Sequence, residues 1–210
     1  MVNDQICVLC RGESIKLIMD RMPWYQPGDM LIVNEFNEEL KNEFIHNLFM
    51  LKDITHMVSK DCGLSNLKRE YYKKYNINKA ILNRFEYESR QCSHMRILLQ
   101  NFGLDPIYLP EILKPFQKEG GGFPTTGSIS ILYSTLVLKK KDIHIAGMDF
   151  YETDYFNKIP AKDYQKIKGQ ILKEYMIKFI KTHSDVNYTF YTYSEFNPNL
   201  KNVKVIRGSK

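Results

Sequence analysis

Residues 125–151 read TTGSISILYSTLVLKKKDIHIAGMDFY. Within this stretch, Gly127 to Leu138 is apolar almost all round, which predicts a helix that is buried on most sides. The next segment, Asp142 to Met148, is a short apolar run that predicts a buried strand. A helix and a strand that are both buried, one leading into the other, are typical of an α/β domain.

Short apolar runs alternate with longer helical patterns along the rest of the chain. An amphipathic surface helix is predicted for Ala161 to Thr182, where apolar residues recur at three- and four-residue steps. This alternation predicts an α/β fold with a largely parallel sheet. The other predicted strands are Ile6–Cys10, Met30–Asn34, at least one within Leu48–Val58, Ala80–Phe85, Ile107–Leu109, Tyr188–Tyr193 and Val203–Ile206.

Length and composition limit the class of protein. A chain of 210 residues that is 43% hydrophobic and 26% charged is expected to fold as one compact domain over residues 1–210. The net charge of +6 favours anionic partners such as nucleotides, nucleic acid or acidic membrane surfaces. No apolar stretch approaches the roughly 20 residues that span a bilayer, so we expect no transmembrane segment and only peripheral membrane contact.

Cysteine usage and the amino terminus bear on the compartment. The four cysteines and the lack of a secretory signal predict free thiols in a reducing compartment, and hence a cytoplasmic protein. Cys7 and Cys10 lie in an apolar strand whose two-residue period places them on opposite faces, so we interpret them as structural. Cys62 and Cys92 stand alone, and no zinc site is predicted from the spacing.

The first candidate site is the turn after the predicted strand Ile6–Cys10. It consists of Arg11, Gly12, Glu13 and Ser14 and leads into a helical pattern. A glycine and a small polar residue at such a turn let the backbone approach a ligand, and free N–H groups at a helix start favour phosphate. Arg11 adds a permanent positive charge. An ordinary strand-to-helix turn explains the same residues equally well.

The second candidate site is the start of the buried helix. Thr125, Thr126, Gly127 and Ser128 bring hydroxyls and backbone N–H groups to a helix amino terminus, which favours a carboxylate or phosphate oxygen. An ordinary helix cap needs only one of the two threonines. The preceding tripeptide Gly120–Gly122 offers a flexible approach to this helix.

The third candidate site follows the predicted strand Asp142–Met148. Asp149 and Tyr151 come directly after the strand, and Tyr155 lies a few residues further on. Open α/β sheets bind their ligands at the carboxyl ends of the strands. Tyrosine hydroxyls at such a position can donate hydrogen bonds to a departing phosphate without adding charge.

The order of these segments resembles a known family. The segments 10–14 (CRGES), 33–36 (VNEF), 125–128 (TTGS) and 146–151 (AGMDFY) together resemble the bacterial lipooligosaccharide sialyltransferases of glycosyltransferase family forty-two. The stretch from Thr125 to Phe150 is also similar to the small sialyl motif of the animal enzymes. The resemblance implies a Rossmann-like, metal-independent fold, here with a short or missing lid. It also implies transfer of sialic acid or a related sugar acid from a CMP-sugar donor to a glycan acceptor, with inversion.

The resemblance assigns roles to single residues by position. Asn34 matches the family's nucleotide-binding asparagine after the second strand. Thr126 and Gly127 match the pair that holds the nucleotide and the sugar carboxylate. Tyr151 and Tyr155 match the two tyrosines that stabilise the departing phosphate. No cofactor is implied beyond the CMP-sugar, which is the donor substrate.

The segment between the second tyrosine and the next long helix departs from the family. There the family carries a catalytic histidine that takes the proton from the acceptor hydroxyl. Here the segment Phe156–Asp163 contains no histidine. Asp149, Asp154 and Asp163 are the acids left to act as a base. The alternative prediction is therefore a catalytically silent protein that binds a CMP-sugar or another nucleotide.

A third interpretation rests on basic residues. Residues 64–78 combine lysines and an arginine with three tyrosines, which fits either a solvated surface or a flap that binds nucleic acid. The lysines at 139–141 suit the carboxyl end of the preceding helix instead of a nucleic-acid patch. The resemblance implies a nucleotide-sugar donor and a glycan acceptor as partners, and we expect no nucleic acid.

Overall fold

The computed structural model describes residues 4–19, 21–59, 67–86, 93–116, 125–156, 160 and 163–208. The strands are β1 (Gln5–Leu9), β2 (Gly28–Val33), β3 (Lys52–Val58), β4 (Lys79–Leu82), β5 (Ile107–Tyr108), β6 (Asp142–Ala146), β7 (Asn187–Thr192) and β8 (Val203–Arg207). They form one parallel sheet of eight strands in the order β5-β4-β3-β2-β1-β6-β7-β8. Each lies where the sequence predicts a strand.

Helices cover both faces of this sheet. The α-helices are α1 (Met22–Tyr25), α2 (Glu43–Met50), α3 (Arg69–Lys74), α4 (Ser93–Asn101), α5 (Thr126–Leu136) and α6 (Asp163–Thr182). Helices α1 to α4 pack on one face of the sheet and form a hydrophobic core with it. Helices α5 and α6 form a second core with the other face. Short 3-10 helices at Glu13–Ile18, Glu39–Lys41 and Glu111–Phe116 complete the layers. The arrangement is α/β and Rossmann-like, as predicted.

The first strand shows how the sheet is buried on both sides. Ile6 and Val8 point into the core under α5 and α6, while Cys7 and Leu9 point into the core under the other helices. Cys10 lies with Ile6 and Val8, so the two cysteines face opposite sides, as predicted. Burial raises the pKa of Cys7 to about 11 and that of Cys10 to about 12, which keeps both as neutral thiols.

The chain reverses direction across the sheet at β1. It moves outward from β1 through β5, then returns along α5 and places β6 on the other side of β1. The strand order therefore reverses between β1 and β6, and open α/β sheets commonly bind their ligands at the carboxyl ends of the strands beside such a reversal. The buried helix predicted from the sequence is α5, and it lies over this central region.

The described part of residues 64–78 is a solvated surface on one side only. The basic residues Lys68, Arg69, Lys73 and Lys74 are exposed, as predicted for a solvated face, whereas Tyr72 and Tyr75 are buried in the core beside α2. Residues 60–66 lie outside the described part of the chain. The helical pattern after Ser14 forms a 3-10 helix.

Two of the three lysines after α5 form ion pairs with carboxylates of other segments. Lys140 is largely buried and pairs with Asp29 at 2.5 Å, and Lys141 pairs with Asp185. Among the described helices, none is both long enough and apolar enough to cross a bilayer.

Candidate functional site

The candidate site lies at the carboxyl edge of the sheet, around β1, β2, β3, β4 and α5. Arg11 follows β1, Asn34 follows β2, Ser59 follows β3 and Asn83 follows β4. The backbone N–H of Asn34 donates to Met57 at 2.9 Å, and that of Asn83 donates to Val58 at 2.8 Å. Because these bonds extend the sheet by one residue, the polar side chains start from a rigid edge.

The first and third candidate sites form one unit. The N–H of Gly12 donates to the Gly147 carbonyl at 2.7 Å, and the N–H of Phe156 donates to the Arg11 carbonyl at 2.8 Å. Gly12 and Tyr155 also form an antiparallel bridge. The Arg11 guanidinium carbon consequently lies 5.7 Å from the centre of the Tyr155 ring. The turn after β1 thus positions a tyrosine that lies after β6.

Asp149 accepts four hydrogen bonds. Its Oδ2 accepts from the Ser14 N–H and the Thr153 hydroxyl, both at 2.9 Å. Its Oδ1 accepts from the Thr192 hydroxyl at 2.8 Å and from the Tyr193 N–H at 3.0 Å. The residue is only 4% exposed. A carboxylate with all its acceptor sites in use is poorly placed to take a proton, so these contacts favour a structural role for Asp149 over the predicted catalytic one.

Gly12 and Ser14 also take part in the turn itself. A Cβ atom on Gly12 would lie 2.5 Å from Asp149 Oδ2, so the glycine is explained by close packing inside the protein. Ser14 is fully buried, and its hydroxyl accepts from the Gly147 N–H at 3.1 Å. Two of the residues predicted to contact a ligand from this turn, Gly12 and Ser14, are thus explained by contacts within the protein.

Arg11 lies in a cluster with two carboxylates. Its Nη1 is 2.5 Å from Glu35 Oε1, and its Nε donates to Glu39 Oε1 at 3.1 Å. Burial raises the pKa of Glu39, although Arg11 opposes that shift. Burial by itself would lower the pKa of Arg11, but the two carboxylates outweigh it and raise that pKa. The positive charge predicted to meet a phosphate is therefore partly compensated within the protein.

The start of α5 combines a cap with free backbone donors. Thr125 is the N-cap, and its hydroxyl accepts from the Ser128 N–H at 3.3 Å. Ser128 is fully buried, with its hydroxyl 3.1 Å from that of Thr125. The Thr126 hydroxyl accepts from Asn83 Nδ2 at 3.1 Å. Within the described residues, the N–H groups of Thr126 and Gly127 have no acceptor, as is usual for a first helical turn.

The approach to α5 is only partly described. Gly120–Gly122 and Pro124 lie outside the described residues, as do Cys62 and Cys92. A Cβ atom on Gly127 would lie 2.9 Å from Cys10 Sγ, so this glycine lets α5 start close to the end of β1. The second candidate site is thereby attached to the first.

Tyr151 lies in a strained turn. Phe150 and Tyr151 have φ values of 51° and 62°, and the Glu152 N–H donates to the Asp149 carbonyl at 2.9 Å. Two left-handed residues in the centre of a tight turn are costly for large side chains, and such strain concentrates at functional sites. The Tyr151 and Tyr155 rings are 6.5 Å apart, and the Tyr155 hydroxyl accepts from Gln165 at 3.1 Å. The predicted tyrosine pair is thus close in space.

His56, which no sequence motif singles out, holds Asn34 in place. Asn34 has a φ of 58°, and its Oδ1 accepts from the Ser59 N–H at 3.1 Å. The His56 Nε2 bonds the Asn34 carbonyl, and its Nδ1 lies 2.7 Å from the Tyr72 hydroxyl. Since a carbonyl only accepts, Nε2 carries the proton and Nδ1 accepts from Tyr72. Burial lowers the pKa of His56 to about 4, which keeps the ring neutral.

The free energy of unfolding is expected to depend on pH through His56. Its folded pKa of about 4 lies below the ordinary value of 6.5, so the unfolded chain binds the proton first. The contribution of His56 to the free energy of unfolding is fully present above pH 6.5 and is lost as the pH falls toward 4. We expect a loss of about 2 kcal/mol between pH 7 and pH 5. Urea unfolding at both pH values measures this loss.

The matched variants for this measurement are His56→Gln and His94→Gln. His94 is exposed on α4. His56→Gln should lack the loss of about 2 kcal/mol, and His94→Gln should retain it. An equal dependence on pH in wild type and His56→Gln would contradict the assignment.

The other described histidines lie away from this edge. His46 contacts the Tyr75 hydroxyl at 2.8 Å, and His183 lies 2.8 Å from the Phe179 carbonyl after α6. His144 lies in β6 between Asp142 and Tyr191, as expected for a structural residue, and burial lowers its pKa. Among the described residues, His56 is the histidine at the candidate site, and both its ring nitrogens are in use.

Comparison of the chain with models of protein families, with curated proteins and with solved structures finds no match. The described residues contain no group of three or more His, Cys, Asp or Glu side chains that could hold a metal ion. The function of this site is therefore inferred from its geometry and from the sequence motifs.

Proposed function

We propose that this protein binds a CMP-activated sugar acid and transfers the sugar, with inversion, to a hydroxyl of a glycan acceptor. The observation that carries the proposal is the amino terminus of α5, with Thr126 bonded to Asn83, beside the point where the strand order reverses. Free N–H groups and the helix dipole at such a place favour an anion.

Each part of the donor has a matching group at this edge. The N–H groups of Thr126 and Gly127 suit the sugar carboxylate, because both point from the first turn of a helix. Asn34 is held rigidly by its contacts with Ser59 and His56, and it suits the nucleotide. The cytidine phosphate then lies toward Arg11 and the tyrosine pair.

The transfer step involves one bond made and one broken. The acceptor oxygen attacks the anomeric carbon, and the bond from that carbon to the phosphate oxygen breaks with its electron pair leaving on CMP. The hydroxyls of Tyr151 and Tyr155 donate to the departing phosphate, and Arg11 offsets its charge. The acceptor proton passes to a carboxylate. Asp154 and Asp163 are exposed acids close in sequence to the second tyrosine and can take this role.

A silent binding protein is the second candidate function. It is favoured by the lack of a histidine in Phe156–Asp163 and by the four hydrogen bonds that occupy Asp149. Such a protein would bind the donor without transferring the sugar. Release of CMP from CMP-sialic acid, measured with and without a panel of glycan acceptors, separates the two functions, because only a transferase releases CMP faster when an acceptor is added.

Calorimetric titration with CMP, with UDP and ADP as controls, tests the donor site. We expect saturable binding of CMP that weakens about tenfold in Asn34→Gly, since one or two hydrogen bonds to the ligand are lost. Glycine is chosen because it adopts the left-handed conformation of Asn34 without strain. Thr126→Val should leave the affinity for CMP as in wild type and should weaken binding of CMP-N-acetylneuraminic acid, because the Thr126 hydroxyl lies beside the N–H groups that suit the sugar carboxylate.

Asn76→Gly is the matched control. Asn76 has a comparable φ of 48° but lies after α3, at the opposite edge of the sheet. Its replacement should leave CMP affinity as in wild type. The proposal fails if wild type binds no CMP, or if Asn34→Gly binds CMP as tightly as Asn76→Gly does.

A further inference from the structure

Asn83 carries a buried polar atom with no partner. The residue is 4% exposed, and its Nδ2 donates to Thr126 Oγ1 at 3.1 Å. Its Oδ1 has no hydrogen-bond partner among the described residues. Most buried polar side-chain atoms in proteins are paired, because an unpaired one is costly. Since its amide bonds Thr126, this acceptor lies at the amino terminus of α5.

The side chain of Asn83 is not needed to hold its own loop. Its backbone N–H donates to the Val58 carbonyl at 2.8 Å, and its backbone carbonyl accepts from Arg84 Nη1 at 2.9 Å. These bonds involve only the backbone of Asn83. The Nδ2 group ties this loop to α5 through Thr126, whereas Oδ1 takes part in none of these bonds, and its position next to the first-turn N–H groups of α5 favours a ligand.

We infer that Asn83 determines specificity for the sugar-acid part of the donor, by accepting a hydrogen bond from a sugar hydroxyl or amide N–H. This inference rests on the proposed function and extends it. Because Nδ2 donates to the Thr126 oxygen, the Thr126 proton is free to point at an anion. Thr126 and Asn83 thus offer a donor and an acceptor side by side. An acid with an O–H or N–H group near its carboxylate satisfies both.

The test compares CMP, CMP-N-acetylneuraminic acid and free N-acetylneuraminic acid as probes. In Asn83→Leu, the ratio of the affinity for CMP-N-acetylneuraminic acid to that for CMP should fall about 5- to 20-fold, the range for one lost hydrogen bond in a buried site. The melting temperature should not fall, because leucine removes the unpaired atom. Asn101→Leu, an exposed site at the end of α4, should keep the wild-type ratio.

A second measurement uses wild type alone. The side-chain amide resonance of Asn83 in a ¹⁵N-labelled sample should shift when the CMP-sugar or the free sugar acid is added, and should shift less with CMP. This readout does not depend on the folding of any variant. It also separates ligand contact from a purely structural role, which would leave the resonance unmoved by either sugar.

The outcomes distinguish the two proposals. An unchanged affinity ratio in Asn83→Leu, with an unmoved Asn83 resonance, overturns the inference while leaving the proposed function standing. Binding of the free sugar acid that depends on Asn83, with no binding of CMP, supports the inference and overturns the nucleotide part of the proposed function. No binding of any of the three probes by wild type overturns both.

Discussion

Asp149→Ala is expected to lower the free energy of unfolding by about 4 kcal/mol, as judged from the cost of buried donors left unpaired. The substitution removes the acceptor for two backbone N–H groups, those of Ser14 and Tyr193, and for two hydroxyls, those of Thr153 and Thr192. The hydroxyls can turn to other acceptors, whereas the two N–H groups cannot. Urea unfolding at pH 7 measures the difference.

Two further variants show which role Asp149 has. Asp154→Ala changes an exposed acid on the same loop and should alter stability by less than about 0.5 kcal/mol. Asp149→Asn keeps the shape but turns an NH₂ group toward donors, so it should also destabilise. A stable Asp149→Asn protein that binds the donor and no longer transfers sugar would instead support the catalytic role predicted from the sequence.

Gly169→Ala is expected to destabilise the protein by about 3 kcal/mol, although the same change stabilises most exposed helices by up to about 1 kcal/mol. Gly169 lies in α6, and a Cβ atom there would overlap the carbonyl oxygen of Phe150. A backbone oxygen cannot rotate away, so either α6 or the turn must move. Since that turn carries Tyr151, we also expect weaker binding of the CMP-sugar.

Gly103→Ala is the control for this substitution. Gly103 has a φ of 90°, but a Cβ atom there meets nothing within 4 Å. Its replacement should cost only backbone strain, about 1 kcal/mol, and should leave donor binding as in wild type. Thermal unfolding and calorimetric titration of both variants give the comparison. A Gly169→Ala protein as stable as wild type would show that α6 does not fix the turn.

The fold was predictable because its signals are local. Central parallel strands are buried on both faces, so they appear as short apolar runs, and the run Ile6–Cys10 became β1 almost residue for residue. The helix from Gly127 was recognisable because it is apolar all round, and its cap proved to be Thr125. The two-residue period of a strand also placed Cys7 and Cys10 on opposite faces correctly.

The placement of the candidate residues at one edge was predictable for a related reason. Parallel strands end at the same edge, so residues that follow different strands, such as Asn34 and Tyr151, share that edge. Their roles toward a donor remain predictions based on resemblance. The sequence alone therefore determined the α/β class, the strand positions and the edge that holds the candidate site.

Only the tertiary structure decided which of these side chains already have hydrogen-bond partners within the protein. Asp149 is hydrogen-bonded to Ser14, which lies 135 residues away in the sequence, and Asn83 is hydrogen-bonded to Thr126, which lies 43 residues away. Arg11 donates a hydrogen bond to Glu39, 28 residues away in the sequence, and this carboxylate partly compensates its positive charge. Hydrogen bonds between residues so far apart depend on how strands and helices pack, and local periodicity carries no information about them. For the same reason, the unpaired oxygen of Asn83 could be recognised only after folding had brought β4 and α5 together.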